Sequence, residues 1–178
     1  MNNVRQELYK ELRRIEEDSL YSMKGHFNAA DFWSKINIFM GVTGAIAAAI
    51  AGLTSLAEGY QWLITLSALF SATIIGINTF LNASEKAQAH KSSGNSFYAI
   101  RSDARFLSNI ESSTLNDNNF IAKANNIRER KNKINSEALG IPKYAYQKAK
   151  KGIESGEPDY EVDNVSKKIL ETLAGFHH

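Results

Sequence analysis

Two long stretches without a formal charge, separated by four residues, constrain this chain more than any other feature. Ile36 to Ala57 is a run of 22 residues, and Trp62 to Leu81 is a run of 20, its uncharged stretch reaching Ser84. At about 1.5 Å rise per residue the first makes a helix about 33 Å long, enough to cross a hydrocarbon core of about 30 Å. Apolar runs of about 10 to 14 residues fit the buried core of a soluble protein, but runs of about 20 fit a membrane span. The remainder of the chain is too polar to wrap two such helices on all sides. The connection Glu58-Gly59-Tyr60-Gln61 is so short that the spans must form an antiparallel hairpin.

Basic residues set the orientation. Lysines and arginines number six before the first span, none in the loop and fifteen after the second. The positive-inside bias then puts both termini in the cytoplasm and the loop outside. Phe32 and Trp33 mark the inner interface, Tyr60 and Trp62 the outer one. The first 35 residues hold six basic and six acidic side chains, too long and too acidic for a signal peptide, and read as mature protein.

The fold class is therefore an all-α membrane protein: an antiparallel two-helix transmembrane hairpin with long cytoplasmic helical extensions and a small C-terminal helical region. Residues 1–35 read as an N-terminal cytoplasmic amphipathic helix, 36–57 and 62–84 as the spans, 58–61 as the external loop and 85–178 as a cytoplasmic helical region. Leu8, Leu12, Ile15, Met23, Phe27 and Ala30 recur at three- and four-residue steps before the first span. Phe97, Ile100, Ala104 and Leu107 do so after the second. No proline precedes Pro142, so the spans are expected to continue unbroken into these extensions.

Beyond a turn at Ser113 to Asn119, a helix carries Phe120, Ala124, Ile127 and Ile134 inward and Arg128, Arg130, Lys131 and Lys133 on a solvated face. Pro142 opens another helix, whose basic run Lys148, Lys150 and Lys151 suits a solvated face, anionic headgroups or a nucleotide. Gly156 and Pro158 end it, and a last amphipathic helix holds Val165, Ile169 and Leu173 inward.

Helices in lipid associate through small residues and interhelical hydrogen bonds. Gly44, Ala48 and Gly52 form one small-residue ridge, and Ala68, Ala72 and Gly76 another, to pair within one hairpin or between copies. Ser67, Ser71, Asn78 and Asn82 fall near one face of the second span. Such a stripe is either an interhelical hydrogen-bond seam or, in a ring of several copies, a pore lining.

With no cysteine, four histidines and a net charge of +2, the chain offers no thiolate chemistry and no strongly basic surface for nucleic acid. Neither a phosphate loop nor a catalytic constellation is present, so no catalytic, cofactor-binding or metal-ligating residues and no cofactor are assigned. His26 and His90 are one pair of interest. On continuous antiparallel helices both stand about 14 Å below the membrane, with Asp31 and Glu85 in the same zone. The pair suits ordinary helix packing, a pH-sensitive latch or a metal site.

The stretch from Leu20 through Tyr21-Ser22-Met23-Lys24-Gly25-His26-Phe27-Asn28-Ala29-Ala30 to Trp33 resembles the entry motif of the SLATT proteins. Ala87-Gln88-Ala89-His90, Ser93-Gly94-Asn95, Tyr98, Arg101 and Arg105 resemble the segment that follows their second span. Ile141-Pro142, Tyr144-Ala145 and Lys150-Lys151-Gly152-Ile153 are similar to their C-terminal part. The match runs in order from about Leu20 to Val162. The resemblance implies a bacterial inner-membrane effector of antiviral, abortive-infection type. It would oligomerise on a signal and breach the membrane, with partners such as a cytoplasmic sensor, a nucleotide-producing enzyme or a reverse transcriptase. The expected function is thus a homo-oligomeric, signal-gated permeabilising effector embedded in lipid. A membrane anchor or adaptor recruiting a partner through its cytoplasmic helices uses the same topology, and a small transporter or metal-sensing channel would use His26 and His90.

Overall fold

The computed structural model describes residues 3–54 and 59–157, and every described element is helical. Helix α1 (Asn3–Thr54) is followed by α2 (Gln61–Leu81), α3 (Ala83–Asn109), a short 3₁₀ turn (Glu111–Ser113), α4 (Asp117–Glu137) and α5 (Lys143–Glu154). Glu58 of the loop, and the expected last helix with Val165, Ile169 and Leu173, lie outside the described residues.

Helix α1 has 52 residues, about 78 Å at the usual rise, and its outer half is the first charge-free run. Within the most apolar windows of the two candidate spans only 11% and 6% of residues are buried. Phe39, Leu53, Leu69 and Phe80 are among the large apolar side chains left bare. A soluble core hairpin would bury that surface; a bilayer is the solvent that suits it. The threonines agree. Thr43, Thr54, Thr65, Thr73 and Thr79 each donate the hydroxyl to a carbonyl four residues earlier on the same helix, so none presents an unmade hydrogen bond to lipid.

The extension of the second span is not the unbroken helix that the absence of proline predicts. Asn82 adopts a left-handed conformation (φ 49°, ψ 44°), ending α2 at Leu81, and α3 starts at Ala83. Asparagine is the residue other than glycine that tolerates this conformation best. The ladder resumes at once, Lys86 N–H donating to the Asn82 carbonyl at 3.0 Å.

Below the membrane, α1 and α3 stay paired and α4 closes a three-helix core. Leu12 and Ile15 meet Ile100, Ala104 and Leu107, and Phe120, Ala124 and Ile127 cover both. A second cluster joins Leu20, Met23 and Phe97, with Phe27, Ile134 and Ile153 against it. These are the apolar stripes expected from spacing.

The expected solvated face of α4 is only partly so. Arg130 pairs with Asp103 of α3 at 2.7 Å and Lys131 with Asp18 of α1 at 2.5 Å, while Arg128 and Lys133 remain exposed. The turn before α4 is capped by Asn116, whose side chain accepts from Asn119 N–H at 2.9 Å. Arg5 holds the same turn from α1, donating to the carbonyls of Ser112 and Leu115 and pairing with Asp117, its guanidinium over Phe120. Pro142, extended at φ −61°, precedes α5 rather than occupying its first turn. Helix α5 buries Ala145, Ala149 and Gly152.

Candidate functional site

Three polar side chains of the second span, Ser67, Ser71 and Asn78, face the first. Apart from Leu63 on α2 and Ile36 and Thr43 on α1, which are half-buried beside the seam, the covered positions are Ile64, Ser67, Ser71, Ile74, Asn78 and Leu81 on α2 and Asn37, Met40, Gly44, Ala47, Ala51 and Thr54 on α1. Both sets advance in alternating steps of three and four. That 3.5-residue period is the seam of a left-handed antiparallel pair. Ser71 Oγ donates to the Gly44 carbonyl at 2.9 Å, and Asn78 Nδ2 donates to Asn37 Oδ1 at 3.1 Å. The Asn78 carbonyl oxygen is buried with no hydrogen-bond partner.

The small-residue ridges divide. Gly44 lies inside the seam, where a Cβ would stand 3.4 Å from Ile75 Cγ1. Ala48, Gly52, Ala68, Ala72 and Gly76 are exposed on the hairpin's outer faces. Residues four apart on an α-helix rotate by about 40° per step, so a ridge of strict four-residue steps leaves a 3.5-residue seam after one turn. Asn82 also leaves the stripe, because the left-handed turn interrupts the spacing that placed it with Ser67, Ser71 and Asn78.

Along the same pair of helices, below the membrane, His26 and His90 meet. Their Nδ1 atoms are 2.9 Å apart, and the two residues are only 1% and 3% exposed. His26 also stacks on Phe97, with ring centroids 5.5 Å apart. One Nδ1 must donate and the other accept, so the contact requires two different neutral tautomers or a single shared proton. Burial, and then the charge of His90, pushes His26 down to about 4, and burial lowers His90 as well. Asp31 is drawn to Lys35 at 2.7 Å and Glu85 is exposed, so neither carboxylate completes a ligand set. Among the described residues no group of three histidines, cysteines or carboxylates is arranged for a metal.

Two glycines flank this pair. A Cβ on Gly94 of α3 would lie 2.8 Å from the Phe27 ring, and one on Gly25 would lie 3.0 Å from Ile141 Cγ2. Gly94 therefore lets α1 and α3 close beside the histidines, and Gly25 seats the loop before α5. Sequence spacing put the histidines at one height, but it did not show what these glycines are for. Nor did it find Asn37, a lone polar residue at the start of the first span.

Taken together, the arrangement is a continuous seam of few, specific polar contacts between α1 and the α2–α3 pair. It offers no nucleophile or metal cage, and its chemistry is that of helices which can be held together or parted. The sequence model of the SMODS and SLOG-associating 2TM effector domain family 4 matches residues 8–163. No curated protein and no solved structure matches the chain.

Proposed function

Since the chain belongs to the SMODS and SLOG-associating 2TM effector domain family 4, a family of membrane effectors in conflict systems, we propose that it permeabilises the bacterial inner membrane as a homo-oligomer. A signal reaching the cytoplasmic helices would gate it, both termini being cytoplasmic. It acts by assembly rather than by catalysis, and its partners are the nucleotide-producing or nucleotide-sensing proteins the family name joins it to.

The observation that carries this reading is the state of Asn78. In the single hairpin its amide is tied to Asn37, yet its carbonyl is buried and unmade. An unpaired buried acceptor costs about 1 to 3 kcal/mol, and water or a neighbouring copy would supply the missing donor. The hairpin is then a closed state with its polar groups turned inward. Opening would part or rotate the seam and give Ser67, Ser71 and Asn78 to a shared aqueous axis. Ala48, Gly52, Ala68, Ala72 and Gly76, left bare by the hairpin, are the faces on which copies would pack. His26 and His90 would act as the cytoplasmic latch on the same helix pair.

The rival is an anchor or adaptor, in which the spans only hold the cytoplasmic bundle at the membrane. Replacing residues 36–81 with an unrelated two-span hairpin separates the two. Membrane depolarisation and growth arrest in expressing bacteria should vanish in the chimaera; their persistence at wild-type level would favour the adaptor and sink the pore.

A further inference from the structure

Helix α5 lies across α1 rather than along it. Tyr144 packs on Phe32 with ring centroids 4.8 Å apart, whereas Tyr146 faces Tyr21, eleven positions earlier on α1, at 6.2 Å. Eleven residues of α1 span about 16 Å, more than the diameter of a helix, so the two edges of α5 look in opposite directions along α1. Ala145 fixes the crossing, its carbonyl accepting from Asn28 Nδ2 at 3.2 Å. The edge that carries Tyr144 continues one and two turns later to Lys148 and Lys151. Lys148 is near Asp31: the hydrogen bond from Lys35, followed by the charges of Lys35 and Lys148, holds that carboxyl below its ordinary range.

Phe32 and Asp31 are four and five residues before the first span, about 6 to 8 Å from its start, which is the depth of the headgroup layer. Trp33 is in that layer too, with Lys86 of α3 4.5 Å above its ring. The upper edge of α5 is thus an aromatic-and-lysine surface continuous with the inner end of the spans. We propose that α5 is a membrane-surface helix, docking its Tyr144, Lys148 and Lys151 edge on anionic phospholipid headgroups beside the hairpin. The lower edge, with Tyr146 and Lys150, faces the groove lined by Glu17, Asp18 and Lys131 and takes no part. The charge is complementary, since each lysine near an anionic surface contributes about 1 kcal/mol, roughly a fivefold preference. This rests on the spans being in a bilayer, and does not depend on permeabilisation.

The chain has no cysteine, so a single introduced one carries a unique fluorophore. Tyr144→Cys and Tyr146→Cys, at similarly exposed positions (42% and 45%), are labelled in the full chain and reconstituted in nanodiscs. The discs contain phosphatidylcholine with or without phosphatidylglycerol, plus a headgroup-nitroxide quencher lipid. Quenching should be several-fold stronger at position 144 than at 146, and stronger again with phosphatidylglycerol. Lys148→Gln with Lys151→Gln in the Tyr144→Cys background should lower that lipid preference at least about fivefold. Added inorganic phosphate should leave it unchanged. Equal quenching at the two positions, indifference to phosphatidylglycerol, or displacement by free phosphate would overturn the proposal.

Discussion

At the scale of single residues, the histidine pair ties this fold to acidity. Both groups have lowered pKa values in the folded chain, so the unfolded chain binds more protons as pH falls below about 6.5. The neutral pair is therefore fully stabilising above that value, and its contribution is lost progressively as pH falls toward about 4. For His26, a drop from 6.5 to about 4 corresponds to stability on the order of 3 kcal/mol. We predict a lower melting temperature at pH 5 than at pH 7.5, and a much smaller difference in the His26→Leu/His90→Leu variant; an undiminished difference would exclude the pair as its source. Gly94 makes a separate demand. Gly94→Ala places a methyl against the Phe27 ring and should cost about 1 to 3 kcal/mol, measured by thermal unfolding. Adding Phe27→Ala should make the combined loss smaller than the sum of the two single losses.

Between residue and fold, the elements show where sequence reasoning reaches and where it stops. Spans, hairpin, the apolar stripes outside the spans and the shared height of His26 and His90 are all legible, because length and period follow directly from helix geometry. The pairing face of the hairpin is not. Gly44 belongs to both the four-residue ridge and the 3.5-residue seam, and only the presence of Asn37 opposite Asn78 distinguishes the two. The break at Asn82 likewise involves no proline: asparagine itself tolerates the left-handed conformation that ends α2. Asn82→Gly should leave stability within about 0.5 kcal/mol, whereas Asn82→Val should cost about 1 to 2 kcal/mol by forcing a β-branched residue into that conformation. Equal melting temperatures for the two variants would show that the turn at 82 is not required. Arg5 and the crosswise packing of α5 depend on contacts more than a hundred residues apart, which no local pattern encodes.

For the molecule as a whole, α1 runs beside α3 from the three-helix core, past the histidines, and then beside α2 through the apolar hairpin. Leu12 and Ile15 anchor its lower end, Phe97 and His26 its middle, and Gly44 with Ser71 its membrane part. Helix α1 contacts α2, α3, α4 and α5, so under the proposed gating a displacement imposed on α4 or α5 would reach the seam through it. That continuity is what a cytoplasmically gated membrane effector needs, and small residues on the outer faces leave room for neighbouring copies. The most direct test is release of a trapped dye from liposomes by the reconstituted chain supplied with the cytoplasmic partner that gates it, with Asn78→Leu beside it. We predict release by the wild type and loss of release in the variant, with both chains equally protected from protease across their spans. Full insertion of the wild type without release, or equal release by both, would contradict a pore lined by the second span.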